Sequence, residues 1–119
     1  MNKSATLTVF VLLLFIGISV NSNAEVIMRK TTIVRTLVAS TTGGGCMVKT
    51  EATFGPLCTT WVPFSCDGTF TSQAMAFQMF DSALMAFTEG RKVRIWVDDS
   101  KKHNGHCVGT RIDVMSASQ

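Results

Sequence analysis

Alternation of apolar and polar residues is the strongest pattern in the chain and predicts most of its strands. Residues 25–40, 92–99 and 108–115 alternate with a period of two, which is typical of strands with one buried face. Residues 46–52 and 59–66 flank a Gly-Pro turn signal and predict a hairpin. The polar residues between the last two strands predict a loop over 100–106. The pattern therefore predicts five strands.

The period changes to that of a helix in the middle of the chain. Apolar side chains recur there at i, i+3, i+7 and i+10, and these are Phe77, Phe80, Leu84 and Phe87. Thr71 or Ser72 provides a polar cap at the start, and Gly90 follows the last turn. The pattern predicts one amphipathic helix whose large apolar side chains form the face packed on the core.

The order of these elements indicates the fold class. One helix between the third and fourth of five strands is the order of the OB-fold, a five-stranded and partly open antiparallel barrel. The alternative is a plain α+β sandwich, in which the helix covers one face of an antiparallel sheet. Both interpretations place a single, mostly β domain in residues 25–119.

The first residues of the chain have the composition of an export signal. A basic opening precedes the uncharged apolar run of residues 7–20, and Ser22-Asn23-Ala24 places small residues at both positions that a signal peptidase recognises. The apolar run is shorter than the roughly 20 residues that a helix needs to cross a bilayer. We therefore predict a signal peptide over residues 1–24, no membrane span after its cleavage, and export to the periplasm or the extracellular space.

All four cysteines follow the predicted cleavage site, and a small exported domain usually needs covalent support. If the hairpin turn is centred on its Gly-Pro pair, Cys46 and Cys66 face one another, which leaves Cys58 to pair with Cys107. The other arrangement, Cys46 with Cys58 and Cys66 with Cys107, needs a turn at a point that has neither glycine nor proline. The hairpin therefore favours the first arrangement.

Composition and motifs exclude several classes of protein function. A formal charge of +3 is too small and too scattered for a nucleic-acid-binding protein, and 46% apolar with 16% charged residues excludes a disordered chain. His103, His106 and Cys107 have the spacing of partial metal ligands, but a cysteine in a disulfide offers no thiolate. The sequence has no nucleophile elbow, phosphate-binding loop or paired carboxylates, so we predict no enzyme, no metal and no cofactor.

Two groups of residues suggest binding surfaces. Arg94 and Trp96 share the outward side of a predicted strand, where an indole beside a guanidinium suits a sugar or a protein ligand unless this side is covered. Met75, Met79 and Met85 lie beside or behind the predicted core face of the helix. They predict an apolar contact surface for a homo-oligomer, with cover by neighbouring loops as the alternative.

The chain also resembles known proteins. The pattern Cys58-x-x-Trp61-Val-x-Phe64, the helix end Ala86–Ile95 and Cys107 before the last strand resemble a family of small secreted gammaproteobacterial proteins of unknown function. More distantly, they resemble the B subunits of subtilase-cytotoxin and pertussis-like toxins. The resemblance covers residues 46–114 and implies an OB-fold, pentameric assembly and binding of host glycans.

We therefore expect a secreted, disulfide-bonded binding domain with a glycan as its ligand, in the manner of toxin B subunits. The alternative is a structural or assembly subunit that self-associates through its helix and takes no small ligand.

Overall fold

A computed structural model describes residues 23–119, so the predicted signal peptide lies outside the described residues except for its last two positions, Asn23 and Ala24. The elements are β1 (Val26–Val38), a short 3-10 turn (Gly43–Gly45), β2 (Cys46–Thr50), β3 (Trp61–Pro63), α1 (Gln73–Glu89), β4 (Lys92–His103) and β5 (His106–Val114). The predicted order, with the helix between the third and fourth strands, is confirmed. In the part of the chain that the structure describes, no helix is both long and apolar enough to cross a membrane.

The five strands form one antiparallel sheet in the order β3-β2-β1-β4-β5. The long strand β1 serves two ladders: residues Val26–Thr32 pair with β4, and residues Ile33–Val38 pair with β2. A register shift between Ile33 and Arg35 marks the change. Because a bulge bends and twists the strand that contains it, β1 can follow the curvature of both halves of the sheet.

The sheet curls until its two end strands approach one another. A Cβ atom on Gly109 of β5 would lie 2.8 Å from both Val62 and Phe64, so β5 passes directly over the β3 segment. Among residues 23–119 no ladder joins β3 to β5, and the barrel remains open on this side. This architecture agrees with the predicted OB-like class, although the sheet is not a closed barrel.

The helix begins and ends where the sequence predicts, but the face that it buries is different. The Ser72 hydroxyl accepts the Met75 N–H at 3.2 Å, and Gly90 ends the helix with a left-handed φ of 64°. The buried helical residues are Ala76, Met79, Phe80, Ala83 and Ala86.

The prediction that Phe77 and Phe87 belong to the core face is therefore wrong, since they are 50% and 43% exposed. The interior is already filled by large side chains of the sheet and its loops, such as Phe54, Phe64 and Ile95. Small alanines allow the helix backbone to approach this filled interior closely.

The predicted loop over 100–106 is mostly strand. β4 continues to His103 and β5 begins at His106, because Asn104 and Gly105 alone make the turn, with φ angles of 51° and 80°. Two consecutive left-handed residues form the tight turn whose twist matches that of the adjoining strands.

The disulfides are the predicted pairs, Cys46–Cys66 and Cys58–Cys107, with Cα atoms 5.6 and 5.3 Å apart. The register of the hairpin differs from the predicted one, because the Phe64 N–H donates to the Cys46 carbonyl at 3.2 Å and Cys66 follows two residues later. The second bridge joins the loop between β2 and β3 to the start of β5. Next to it, Lys102 Nζ donates to the carbonyl of Leu57 at 2.8 Å. The two halves of the sheet are therefore joined covalently at the end where the loops meet.

Candidate functional site: the basic face of the sheet

The surface of β1, β4 and β5 that points away from the helix carries an ordered array of long side chains. Val93, Ile95 and Val97 of β4 are fully buried on the inner side, so the residues between them point outward. In the register of the sheet, the outward residues form rows across the strands: Met28–Trp96–Arg111, Lys30–Arg94–Asp113 and Thr32–Lys92. We call these eight residues the basic face.

At the centre of the basic face, a guanidinium lies on an indole ring. The Arg111 Cζ atom is 4.3 Å from the centroid of the half-buried Trp96 ring. Arg111 Nε and Nη2 donate to the two carboxylate oxygens of Asp113 at 2.8 and 2.9 Å. These hydrogen bonds raise the pKa of Arg111 above its usual value and hold the guanidinium flat.

The predicted pair, Arg94 and Trp96, does share this surface, but the contact differs from the expected one. Arg94 is exposed and lies in the neighbouring row, while the guanidinium on the indole belongs to Arg111. Sequence reasoning missed Arg111 because its partner depends on the register between β4 and β5. Alternation along β5 placed Arg111 on the outward side but did not say which residue of β4 it faces.

The charges of the basic face are unbalanced. Lys30 stands directly opposite Arg94 on the adjacent strand, and like charges in this position oppose sheet formation. The carboxylate in this array, Asp113, is already paired with Arg111. Lys30, Lys92 and Arg94 therefore present positive charge to solvent without a partner inside the array, and an anion placed among them would relieve their repulsion.

An open pocket of about 450 Å³ adjoins one end of this array. Its lining residues are Lys30, Thr31, Thr32, Glu51, Ala52 and Lys92. The pocket lies where β2 has ended and the chain turns away from β1, with the Glu51 N–H donating to the Thr32 carbonyl at 3.1 Å. Two lysines thus flank a concave surface that is continuous with the basic face.

A second, longer contact between a guanidinium and an indole lies on the other half of the sheet. Arg35 Cζ lies 5.6 Å from the Trp61 ring centroid, and Arg35, Lys49 and Trp61 occupy one row across β1, β2 and β3. This second pair provides a natural comparison for the first, because it has the same residue types on a different part of the surface.

The three methionines predicted as a contact surface do not lie together. Met75 and Met85 are exposed by 50% and 48%, whereas Met79 is 7% exposed and belongs to the core. The assignment of Met79 to a contact surface is therefore wrong, because the buried face of the helix is rotated towards it. The exposed Phe77 and Phe87 instead add apolar area to the helix surface.

A serine, a histidine and an aspartate meet near the turn between β4 and β5, but their hydrogen bonds do not prepare a nucleophile. The fully buried Ser65 Oγ lies 3.0 Å from both Asp67 Oδ1 and His103 Nε2, and it accepts the Phe70 N–H at 3.0 Å. A backbone hydrogen bond from Thr69 lowers the pKa of Asp67, so its carboxylate is ionised and only accepts.

The single Ser65 proton is therefore donated to Asp67, and His103 Nε2 carries the proton that it donates to Ser65. In a serine nucleophile the hydroxyl proton points towards the imidazole instead. This network holds Ser65 at its left-handed φ of 63° and anchors the turn.

The residues weighed as partial metal ligands are separated by the fold. His103 points to Ser65, the His106 Nδ1 atom lies 2.7 Å from the Thr59 hydroxyl, and Cys107 is in a disulfide. Within residues 23–119 there is no group of three or more His, Cys, Asp or Glu side chains placed to hold a metal ion.

We expect His106 to make the stability of the fold dependent on pH. Burial lowers its pKa below the ordinary value of 6.5, and its Nδ1 faces a hydroxyl that already accepts the Trp61 N–H at 3.0 Å. The folded protein binds a proton on His106 less readily than the unfolded chain does, so the free energy of unfolding should decrease as pH falls below about 6.5.

His106→Asn keeps a hydrogen-bond acceptor near Thr59 and removes the imidazole that titrates. We expect urea unfolding at pH 7.5 and at pH 5.0 to show a smaller loss of stability for this variant than for the unchanged protein. Equal losses in both proteins would assign the pH dependence to other groups.

The chain was compared with known protein families, curated proteins and solved structures. A model of a family of unknown function, DUF5992, matches residues 5–116. The chain matches no curated protein and no solved structure.

Proposed function

We propose a function for this chain, which belongs to the DUF5992 family of proteins of unknown function: it is an exported binding domain whose basic face takes an acidic glycan. Export is supported by the signal-like residues 1–24 and by the two disulfides, which persist in oxidising compartments. The ligand is then a molecule of the periplasm or of the extracellular space.

The observation that carries the proposal is the Arg111 guanidinium stacked on Trp96 beside unpaired cations. A neutral sugar that stacks on an indole needs a free ring face, and Arg111 already covers one face of Trp96. A carboxylate or sulfate group instead finds the exposed edge of Arg111 and the nearby Arg94 and Lys30. The array therefore favours sugars that carry negative charge over neutral ones.

The adjoining pocket supports a glycan over a small inorganic anion. Its volume of about 450 Å³ is within the range of small-molecule sites, and hydroxyl and ammonium groups line it together with the Glu51 carboxylate. A sugar ring in this pocket has donors and acceptors for its hydroxyls, while its charged substituent lies on the basic face.

The experiment is a glycan array that contains neutral, carboxylated and sulfated oligosaccharides, followed by calorimetry with the best binder at 50 and 500 mM NaCl. We expect acidic glycans to bind and the affinity to decrease with salt, because exposed charges are screened. Arg111→Gln should weaken binding by about tenfold or more, the usual effect of losing a charged hydrogen bond. The affinity of Arg111→Lys should lie between those of Arg111→Gln and the unchanged protein, since lysine keeps the charge but loses the planar contact.

Arg35→Gln is the matched control. It removes the same side chain from the same kind of stack, on Trp61, away from the basic face. An equal loss of affinity in Arg35→Gln and Arg111→Gln would show that only net charge matters. Preference for neutral glycans, or no glycan binding at all, would refute the proposal.

The second candidate is an assembly subunit, and exposed apolar side chains on the helix favour it. Phe77 and Phe87 are ten residues apart on one side of α1, and Met75 and Met85 have the same spacing on another side. Light scattering of the protein used for the array tests this candidate. A ring or dimer that Phe77→Glu dissociates supports it, and a strict monomer excludes it.

A further inference from the structure

We propose that Asp99 binds the α-ammonium group of Glu25 in the processed protein, so that removal of the leader strengthens the first contact between β1 and β4. The inference rests on the export proposed above and not on any ligand of the basic face.

Both backbone polar groups of Glu25 are held by one residue of β4. The Glu25 nitrogen donates to Asp99 Oδ1 at 2.8 Å, and the Glu25 carbonyl accepts the Asp99 N–H at 3.1 Å. The next pair, Val26 with Asp98, opens the β1–β4 ladder. Asn23 and Ala24 are exposed, and Glu25 is the residue immediately before β1.

The peptide bond before Glu25 is also the one that the sequence predicts to be cut. The small residues Ser22 and Ala24 predict this bond, and its nitrogen is the one that contacts Asp99. Hydrolysis adds one water: the C–N bond breaks, the Ala24 carbonyl carbon takes the hydroxyl, and the Glu25 nitrogen takes the remaining hydrogen to become an amino group. The new Ala24 carboxyl group releases its proton to solvent. An α-amino group has an ordinary pKa of about 7.7–8.0, so this nitrogen takes up a further proton near neutral pH.

Cleavage therefore changes the kind of contact without moving the atoms. A neutral amide N–H beside the Asp99 carboxylate becomes an ammonium group beside it, and hydrogen bonds between charged groups are shorter and stronger. The neighbouring carboxylate of Asp98 does not compete, because it accepts the Ser100 hydroxyl at 2.6 Å and the Ser100 N–H at 2.9 Å. Asp99 is half-buried, so salt should weaken the pair only in part.

The first test is the N-terminal sequence of the protein recovered from the periplasm or the medium, which should begin at Glu25. The second test compares two forms released from a fusion under oxidising conditions: one begins at Glu25 and the other keeps Asn23 and Ala24. Asp99→Asn should lower the Tm of the first form by about 4 °C, and of the longer form by less than half as much. Addition of 1 M NaCl should reduce the difference between them.

Asp81→Asn is the control, because Asp81 is an exposed carboxylate on the helix, away from the first strand pair. It should shift the Tm of both forms equally. The inference fails if the exported protein begins at another residue, or if Asp99→Asn shifts both forms by the same amount. Neither result depends on glycan binding, so this inference and the proposed ligand can fail separately.

Discussion

Replacement of both Cys58 and Cys107 by alanine is expected to lower the free energy of unfolding by about 4 kcal/mol. A disulfide stabilises a protein mainly by restricting the unfolded chain, and the effect increases with the length of the loop that it closes. This bridge joins residues separated by 49 positions. Urea unfolding of the oxidised variant and of the unchanged protein, followed by tryptophan fluorescence, measures the loss.

The position of this bridge gives it a second effect. It holds the loop between β2 and β3 against the β4–β5 hairpin, where Lys102 binds the Leu57 carbonyl and Thr59 lies 2.7 Å from His106. Without the bridge these contacts must order the loop alone. In a domain of this size the total free energy of unfolding is small. The variant should therefore be largely unfolded at ordinary temperatures.

Removal of the Cys46–Cys66 bridge is the matched control. It closes a shorter loop, with a separation of 20, and should cost about 3 kcal/mol. All four cysteine residues are buried, with exposures between 1% and 6%, so the loss of packing is similar in both variants. A larger loss from the shorter loop, or a loss below about 1 kcal/mol for Cys58 and Cys107, would contradict the prediction.

Phe80→Ala is expected to cost about 3–5 kcal/mol, whereas Phe77→Ala should cost less than about 1 kcal/mol. The two residues are of the same type on the same helix, but Phe80 is 5% exposed and Phe77 is 50% exposed. The first substitution leaves a cavity in the core, and the second removes a ring that is half in solvent. Chemical unfolding of both variants at pH 7.5 measures the difference.

This pair of variants also tests the orientation of the helix. If both phenylalanines face the core, as the periodicity of the sequence predicts, the two losses should be similar. Phe87→Ala provides a third value, since Phe87 is 43% exposed and should behave like Phe77. A large loss of stability in Phe77→Ala would indicate that the helix buries the face that the sequence predicts.

Some features of the fold could be predicted from the sequence and others could not, for physical reasons. The limits of α1 were predictable because Ser72 and Gly90 act on their own neighbouring backbone groups. The disulfide pairing was predicted correctly, although the assumed register was not: Met47 pairs with Pro63, so Phe64 and not Cys66 lies opposite Cys46. The loop around Asn104 was predicted too long because the polar residues beside it belong to the strands.

The candidate site was predictable only in part. Alternation along β4 placed Arg94 and Trp96 on one side of the strand, and the structure has them there. The role of Arg111 depended on a pairing between two strands that includes a register shift between Trp96 and Val97, which no local pattern reveals. The opposition of Lys30 and Arg94 likewise appears only when β1 lies beside β4.

The sequence by itself determined the order of the elements along the chain, the caps of the helix, the pairing of the cysteines and the side of β4 that carries Trp96. The caps and the alternation depend on neighbouring residues, and the pair Cys58–Cys107 followed by elimination once Cys46 was paired with Cys66. The tertiary structure decided which face of the helix is buried and which guanidinium covers the indole. The first depends on the volume that Phe54 and Phe64 leave to be filled, and the second on the register of strands that meet only after the sheet has formed.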